Sequence, residues 1–137
     1  WGDWHRDSVF GEDRARRISP TKSTLNRKIP FTVHNDAPVV PPDMIRLLWS
    51  TTNRKTRSGK VLGEEQKIST YDALKAITIN AAYQHFEDDI KGTIEVGKQA
   101  DLVVLSMDPL KIDTENLLEI DVMATFSRGI EIFNAKK

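Results

Sequence analysis

The run Phe31-Thr32-Val33-His34-Asn35-Asp36-Ala37-Pro38-Val39 constrains this chain more than any other. Ile29, Phe31 and Val33 alternate with Pro30, Thr32 and His34, which is the two-residue period of a strand. The expected strand, over residues 30–35, is short, as buried parallel strands are. Pro41-Pro42-Asp43 then signals a helix over 42–53, because proline suits the first helical turn. A strand that releases a carboxylate and turns through prolines into a helix fits an α/β unit. Such units place their chemistry at the carboxyl ends of parallel strands. Asp36 is therefore the first candidate for chemistry, against the plainer reading of a turn aspartate.

The rest of the chain supplies helices first and strands later. Residues 1–7 read as a packed loop carrying two tryptophans and His5. Ser8 to Arg17 reads as a short charged helix capped by Ser8, or equally as a solvated connector, and Thr21 to Lys28 as a second short helix. Ser69-Thr70-Tyr71-Asp72 has the capping pattern that opens a helix over 70–86, with His85 at its C-terminal end. From Ile90 the texture is β. Leu102 to Leu105 is an unbroken apolar run that reads as a buried strand. Ile112 to Leu118 reads as a connection with one helical turn. Val122 to Ser127 and Glu131 to Phe133 read as two strands joined at Arg128-Gly129.

Charge and composition exclude several classes. Twenty Lys and Arg cancel twenty Asp and Glu, so the net charge is zero. A nucleic-acid or anionic-membrane partner would call for a net basic face. No apolar run approaches the roughly 20 residues of a spanning helix. With no cysteine, any metal must be held by His, Asp or Glu. A cytoplasmic location is favoured, although cysteine content does not fix it. The first residue is Trp1, and two tryptophans fall in the first four positions. This is the expected look of a piece of a longer protein.

Two stretches invite a phosphate. Gly92 to Lys98 matches the opening of G-x-x-x-x-G-K, but Gln99 stands where the motif needs Ser or Thr, and a strand follows where it needs a helix. No nucleotide site is expected there. The basic loop Asn53 to Lys60 carries four cations without interleaved aromatics or a receiving helix N-terminus, so it reads as a solvated loop.

The same Gly-Lys stretch fits a different pattern. Gly92-x-Ile94-x-x-Gly97-Lys98-x-Ala100-Asp101-Leu102-Val103-Val104-Leu105 resembles the C-terminal signature of the metal-dependent amidohydrolases. Ile77-Thr78-x-Asn80-Ala81-Ala82 is similar to the helix before that turn, and His34 to Val39 to the end of the eighth barrel strand. Val122-x-Ala124-Thr125-Phe126-x-x-Gly129 is similar to the closing hairpin. Trp1-Gly2-Asp3 and Gly11-Glu12-x-Arg14-Ala15 resemble the branch called amidohydrolase family 3, which includes N-substituted formamide deformylases.

The resemblance implies an α/β fold: the last strand and flanking helices of a (β/α)8 TIM barrel over 1–90, and strands of the small β-sandwich domain over 91–137. The piece alone would be α+β. It implies a hydrolase of non-peptide carbon–nitrogen bonds using a divalent metal, expected to be zinc, and a small-molecule substrate. Asp36 becomes both catalytic residue and metal ligand. The other ligands are expected in a missing N-terminal segment of the same protein. His34, two residues before Asp36, could share its side of the strand as a metal partner, or line the pocket with Asn35 and His5. The piece alone is expected to be inactive and without metal, with open strand edges that favour a homo-oligomer. The rival expectation is a non-catalytic binding or assembly module on the same scaffold.

Overall fold

The computed structural model describes residues 1–136. Helices occupy the first two thirds of the chain and one three-stranded antiparallel sheet the last third, so the architecture is α+β. Helix α1 (Gly2–Trp4) runs into wide π-type turns over His5–Phe10, and Gly11, at φ +71°, separates them from α2 (Glu12–Ala15). Thus the expected loop over 1–7 is helical, and Ser8 lies inside a helical turn instead of capping one. The break falls at Gly11 because only glycine adopts that conformation cheaply. Helix α3 spans Thr21–Asn26.

Helix α4 (Met44–Asn53) begins two residues after the expected start, with both prolines ahead of its cap. The Asp43 side chain accepts from the Arg46 amide at 3.0 Å and satisfies one of the four free N–H groups of the first turn. Its far end is a left-handed residue, Arg54. The helix opened by Ser69, whose hydroxyl accepts from the Asp72 amide, is shorter than expected. It is divided into α5 (Thr70–Ile77) and α6 (Ile79–Gln84) by Thr78, at φ −123° and ψ −96°. Asn80 meanwhile donates to the Phe31 carbonyl at 2.9 Å, and the Gly92 backbone lies against Ile79. These tertiary contacts accompany an interruption that the apolar pattern does not reveal.

Residues 30–35 form no strand among the described residues, in contrast to the sequence expectation. A parallel strand needs neighbours, and no other described segment pairs with this one. It is held by side chains instead: Asn80 to Phe31, and the Thr32 hydroxyl to Gln84 at 2.7 Å. The three strands are β1 (Leu102–Leu105), β2 (Val122–Ser127) and β3 (Ile130–Asn134), in the order β1-β2-β3. The hairpin turn is Arg128-Gly129, both at positive φ, as two-residue hairpin loops prefer. β1 is not the buried strand expected from its composition, since Val103 is 54% exposed. Nothing in the described residues covers its face.

The core gathers Leu48, Ile68, Ala73, Leu117 and Ile120, with Phe31 and Trp49 packed around it. It ties α4 and α5 to a 3₁₀ turn over Thr114–Glu119. One side-chain pair fixes that join. Asn53, 3% exposed, donates to the Thr114 carbonyl at 2.8 Å, and the Thr114 hydroxyl donates back to Asn53 Oδ1 at 2.9 Å. No helix among the described residues is long and apolar enough to cross a membrane.

Candidate functional site

The segment leading to Asp36 ends in an anchored turn. Asn35 is buried, and its amide nitrogen donates to the Asp43 carbonyl at 3.1 Å, tying the turn to the start of α4. Its Oδ1 is buried without a hydrogen-bond partner among the described residues. Asp36 follows at φ +55°, a left-handed conformation that Asp tolerates better than most residues. Its carbonyl accepts from the Val39 amide at 2.8 Å, closing the turn over the cis Ala37-Pro38 bond. The Asp36 carboxylate is exposed. The Asp36 amide donates to His34 Nδ1 at 3.1 Å, which folds the imidazole back over its own backbone.

His34 and His5 have different surroundings. His5 stacks on Phe10 with centroids 5.5 Å apart and meets Trp4 edge-on at 5.2 Å, in an aromatic ladder along the first helical turns. His34 lines a cavity of about 320 Å³ whose other walls come from Trp1, the last turns of α4 and residues 54–57. His5 does not line it. His85 caps α6, as its position suggests.

That cavity also shows a residue whose role sequence reasoning missed. Arg54 leaves α4 in a left-handed conformation, and its guanidinium donates to the carbonyls of Ile18 (2.6 Å), Ser19 (3.0 Å) and Leu62 (2.8 Å). Burial pushes the Arg54 pKa down, with Glu65 acting weakly the other way. The basic loop is therefore only partly a solvated one. Lys55 pairs with Glu115 at 2.7 Å, and the loop tip is held from below by Asp3. That carboxylate accepts from the Ser58 hydroxyl (2.7 Å) and amide (3.0 Å) and pairs with Arg6. The hydrogen bonds from Ser58 and Thr56 hold Asp3 far below the usual carboxylate range. The only sequence signal for Arg54 is its place just past the helix end.

Lys98 of the Gly-Lys stretch is engaged structurally. Its ammonium donates to the Asp88 carbonyl at 2.7 Å and lies 3.6 Å from Glu95, and so closes the turn before β1. Asp101, in the same stretch, accepts from the Arg128 amide at 2.9 Å and joins β1 to the hairpin turn.

A metal fits these residues poorly. Among the described residues there is no group of three or more His, Asp or Glu able to hold one. Asp36 offers a free carboxylate, but Nδ1 of the nearest imidazole in sequence is taken by the Asp36 amide. The described residues thus offer a metal no more than part of a ligand set.

A family model described as the amidohydrolase family matches residues 2–133. N-substituted formamide deformylase of Arthrobacter pascens is 29% identical over 114 residues, which cover 83% of this chain and 21% of that protein. The putative amidohydrolase YtcJ of Bacillus subtilis (strain 168) is 29% identical over 123 residues, 88% of this chain and 23% of that protein. An amidohydrolase from Thermotoga maritima MSB8 is a structural neighbour with a TM-score of 0.45 and 22% identity, over 88% of this chain and 35% of that one. The chain spans between 21% and 23% of the length of the curated relatives it matches.

Proposed function

The chain belongs to the amidohydrolase family, and from that premise we propose that it is the C-terminal portion of a hydrolase of non-peptide carbon–nitrogen bonds. The observation that supports this best is the build of the Asp36 turn. A buried, anchored Asn35 is followed at once by an exposed carboxylate, at the point where the family resemblance sets its last-strand aspartate. Residues 1–90 would then complete a barrel, and residues 91–137 a small sandwich, with the segment that precedes them in the longer protein. The unpaired run over 30–35 and the uncovered face of β1 are what such a division would leave.

In the reaction, water adds to the amide carbon while the Asp36 carboxylate accepts its proton. The carbon–nitrogen bond then breaks, and Asp36 returns that proton to the departing amine. The acid is released with the oxygen of water, and the carboxylate is regenerated. Metal dependence, with zinc as the first choice, is proposed for the longer protein only. The described residues hold no more than part of its ligand set.

The test is the longer protein, with its upstream sequence restored and assayed on N-formyl, open-chain and cyclic amides. Asp36→Asn should keep the fold and lower kcat by about 10²- to 10⁴-fold, the usual worth of a general acid–base group. Hydrolysis that survives Asp36→Asn unchanged removes Asp36 from the chemistry. A folded longer protein with no hydrolysis favours the assembly-module reading.

A further inference from the structure

Helix α6 stands between two parts of the chain that are far apart in sequence. Its Ile79 and Ala82 lie against the Gly92 backbone, where a Cβ would come within 2.8 Å of the Ala82 Cβ and 3.0 Å of the Ile79 Cα. Asn80 and Gln84, four residues apart and so on one helix face, are turned instead to the run before Asp36. The Asn80 amide donates to the Phe31 carbonyl at 2.9 Å, and Gln84 Oε1 accepts from the Thr32 hydroxyl at 2.7 Å. An asparagine near a helix start commonly bonds its own backbone. Here the donor goes to a residue 49 positions earlier.

That contact matters because the run has no ladder to hold it. The backbone of an unpaired segment keeps its place only through the groups that reach it. Phe31 is pinned by Asn80 and by the packing of its ring on the core, and Asn35 is pinned by the Asp43 carbonyl. Only residues 32–34 lie between the two pins, so a displacement at Phe31 is carried along a short tether to the Asp36 turn. A group that moves a proton depends on its placement to within about 1 Å. Asn80 is half-buried and Gln84 is exposed, which makes Asn80 the stronger of the two contacts.

We infer that α6 is a spacer between Gly92 and the run before Asp36, and that Asn80 is the positioning residue through which it sets the Asp36 carboxylate. Gly92 stands at the head of the segment that leads into the sheet. The β part of the chain and the candidate catalytic turn are thereby joined through one short helix. The service to hydrolysis rests on the reading above, whereas the coupling does not.

The experiment has two arms. In the first, amide NMR on the full 137-residue chain compares Asn80→Asp, Gly92→Ala and Gly97→Ala. Asn80→Asp keeps the shape of the side chain and deletes its donor. Gly92→Ala presses on α6, whereas Gly97→Ala carries a like backbone strain, φ +95° against φ +98°, with open space around the new Cβ. Asn80→Asp and Gly92→Ala should both move the Thr32 and Asp36 resonances, and Gly97→Ala should not. In the second arm, on the longer protein, the first two variants should lower kcat about 10- to 100-fold with KM held within about twofold, and Gly97→Ala should keep the parent kcat.

A Gly92→Ala chain that shifts Thr32 and Asp36 no more than Gly97→Ala does overturns the spacer. Should Gly92→Ala fail to fold, Asn80→Asp decides: unmoved resonances, or a change in KM in place of kcat, overturn it. If the resonances move while the parent longer protein hydrolyses no amide, the hydrolase reading falls and the spacer stands. If Asp36→Asn abolishes hydrolysis while Asn80→Asp alters neither resonances nor kcat, the spacer falls and the hydrolase reading stands.

Discussion

The Asn35 side-chain amide donates to the main-chain carbonyl of Asp43 at 3.1 Å, which ties the candidate catalytic turn to the start of α4. Asp43 also caps α4 through its carboxylate, which accepts from the Arg46 amide at 3.0 Å. One residue therefore faces the turn with its backbone and the helix with its side chain. The anchoring is not free of cost, because Asn35 Oδ1 is buried without a partner.

Asn35→Ala is expected to cost only about 1 kcal/mol, since it removes a hydrogen bond together with the unpartnered oxygen. Asn35→Asp should cost more than Asn35→Ala. It deletes the donor and sets a buried negative charge against the Asp43 carbonyl oxygen. Urea unfolding at pH 7 checks the order, and Asn35→Asp proving the milder change would refute this account of the anchor.

Gly63 controls how the N-terminal helical turns dock on the rest. It sits at φ +69°, and a Cβ there would lie 1.9 Å from the Arg16 carbonyl oxygen. The left-handed backbone alone costs an alanine about 1–2 kcal/mol, and a backbone atom cannot swing aside as a side chain can. Gly63→Ala should therefore destabilise by at least about 2 kcal/mol, beyond the usual effect of a surface substitution. Gly59 is the control. It has φ +84° but open space around its Cβ position, so Gly59→Ala should show the strain of the backbone and no clash. Equal losses at the two positions would mean that the close approach to Arg16 is immaterial.

The Asn53–Thr114 pair should be among the most costly polar contacts to break. Both of its hydrogen bonds are within 3 Å, and Asn53 is nearly inaccessible. Asn53→Ala strands the Thr114 hydroxyl and carbonyl, for an expected loss of about 2–3 kcal/mol. Thr114→Val should lose less, because Asn53 keeps its bonds to the Trp49 and Thr114 carbonyls. The two variants compared in one thermal-melting series separate the contributions.

What the sequence made legible was local. The Ser69 cap is read directly because a short polar side chain reaches a backbone amide three residues on. The Arg128-Gly129 turn is read because two-residue hairpins demand positive φ. The helical start over residues 1–10 is a local misreading, and the later ones are long-range. Whether Phe31 to Asn35 pairs into a sheet depends on strands elsewhere, and whether Val103 is buried depends on what covers β1. The break at Thr78 adjoins contacts made by Asn80 to Phe31 and by Gly92 to Ile79. Of the candidate site residues, Asp36 rests on its motif alone, whereas His5 packs against Trp4 and Phe10. Arg54 binds carbonyls up to 36 residues earlier, a relation no spacing encodes.

Acid should loosen the N-terminal turns first. The Asp3 carboxyl is held far below its ordinary value, chiefly by the Ser58 hydroxyl and then by Thr56. A carboxyl whose folded value is depressed contributes stability that is present above its unfolded value, about 3.9, and lost as pH falls through the folded value. Stability should therefore decline from about pH 4 downward. Asp3→Asn should reduce that decline without abolishing it, because Asp7, Glu87, Asp101 and Asp108 are depressed as well. Urea midpoints at pH 6 and pH 3 give the comparison. A decline in Asp3→Asn as steep as in the parent chain would remove Asp3 as a contributor.

Zinc gives the sharpest test of where the rest of the Asp36 site lies. Asp36 has one free carboxylate, and His34 Nδ1 accepts from the Asp36 amide at 3.1 Å, which leaves only Nε2 of that imidazole for a metal. No group of three potential ligands exists among the described residues to compensate. Structural zinc takes four protein ligands and catalytic zinc about three. The 137-residue chain, dialysed against micromolar zinc at pH 7, should retain far less than one equivalent, and Asp36→Ala should not alter what it retains. One equivalent bound by the parent chain and lost in Asp36→Ala would show that the chain assembles a metal site by itself, which would relocate the missing ligands from a preceding segment to a rearrangement of these same residues.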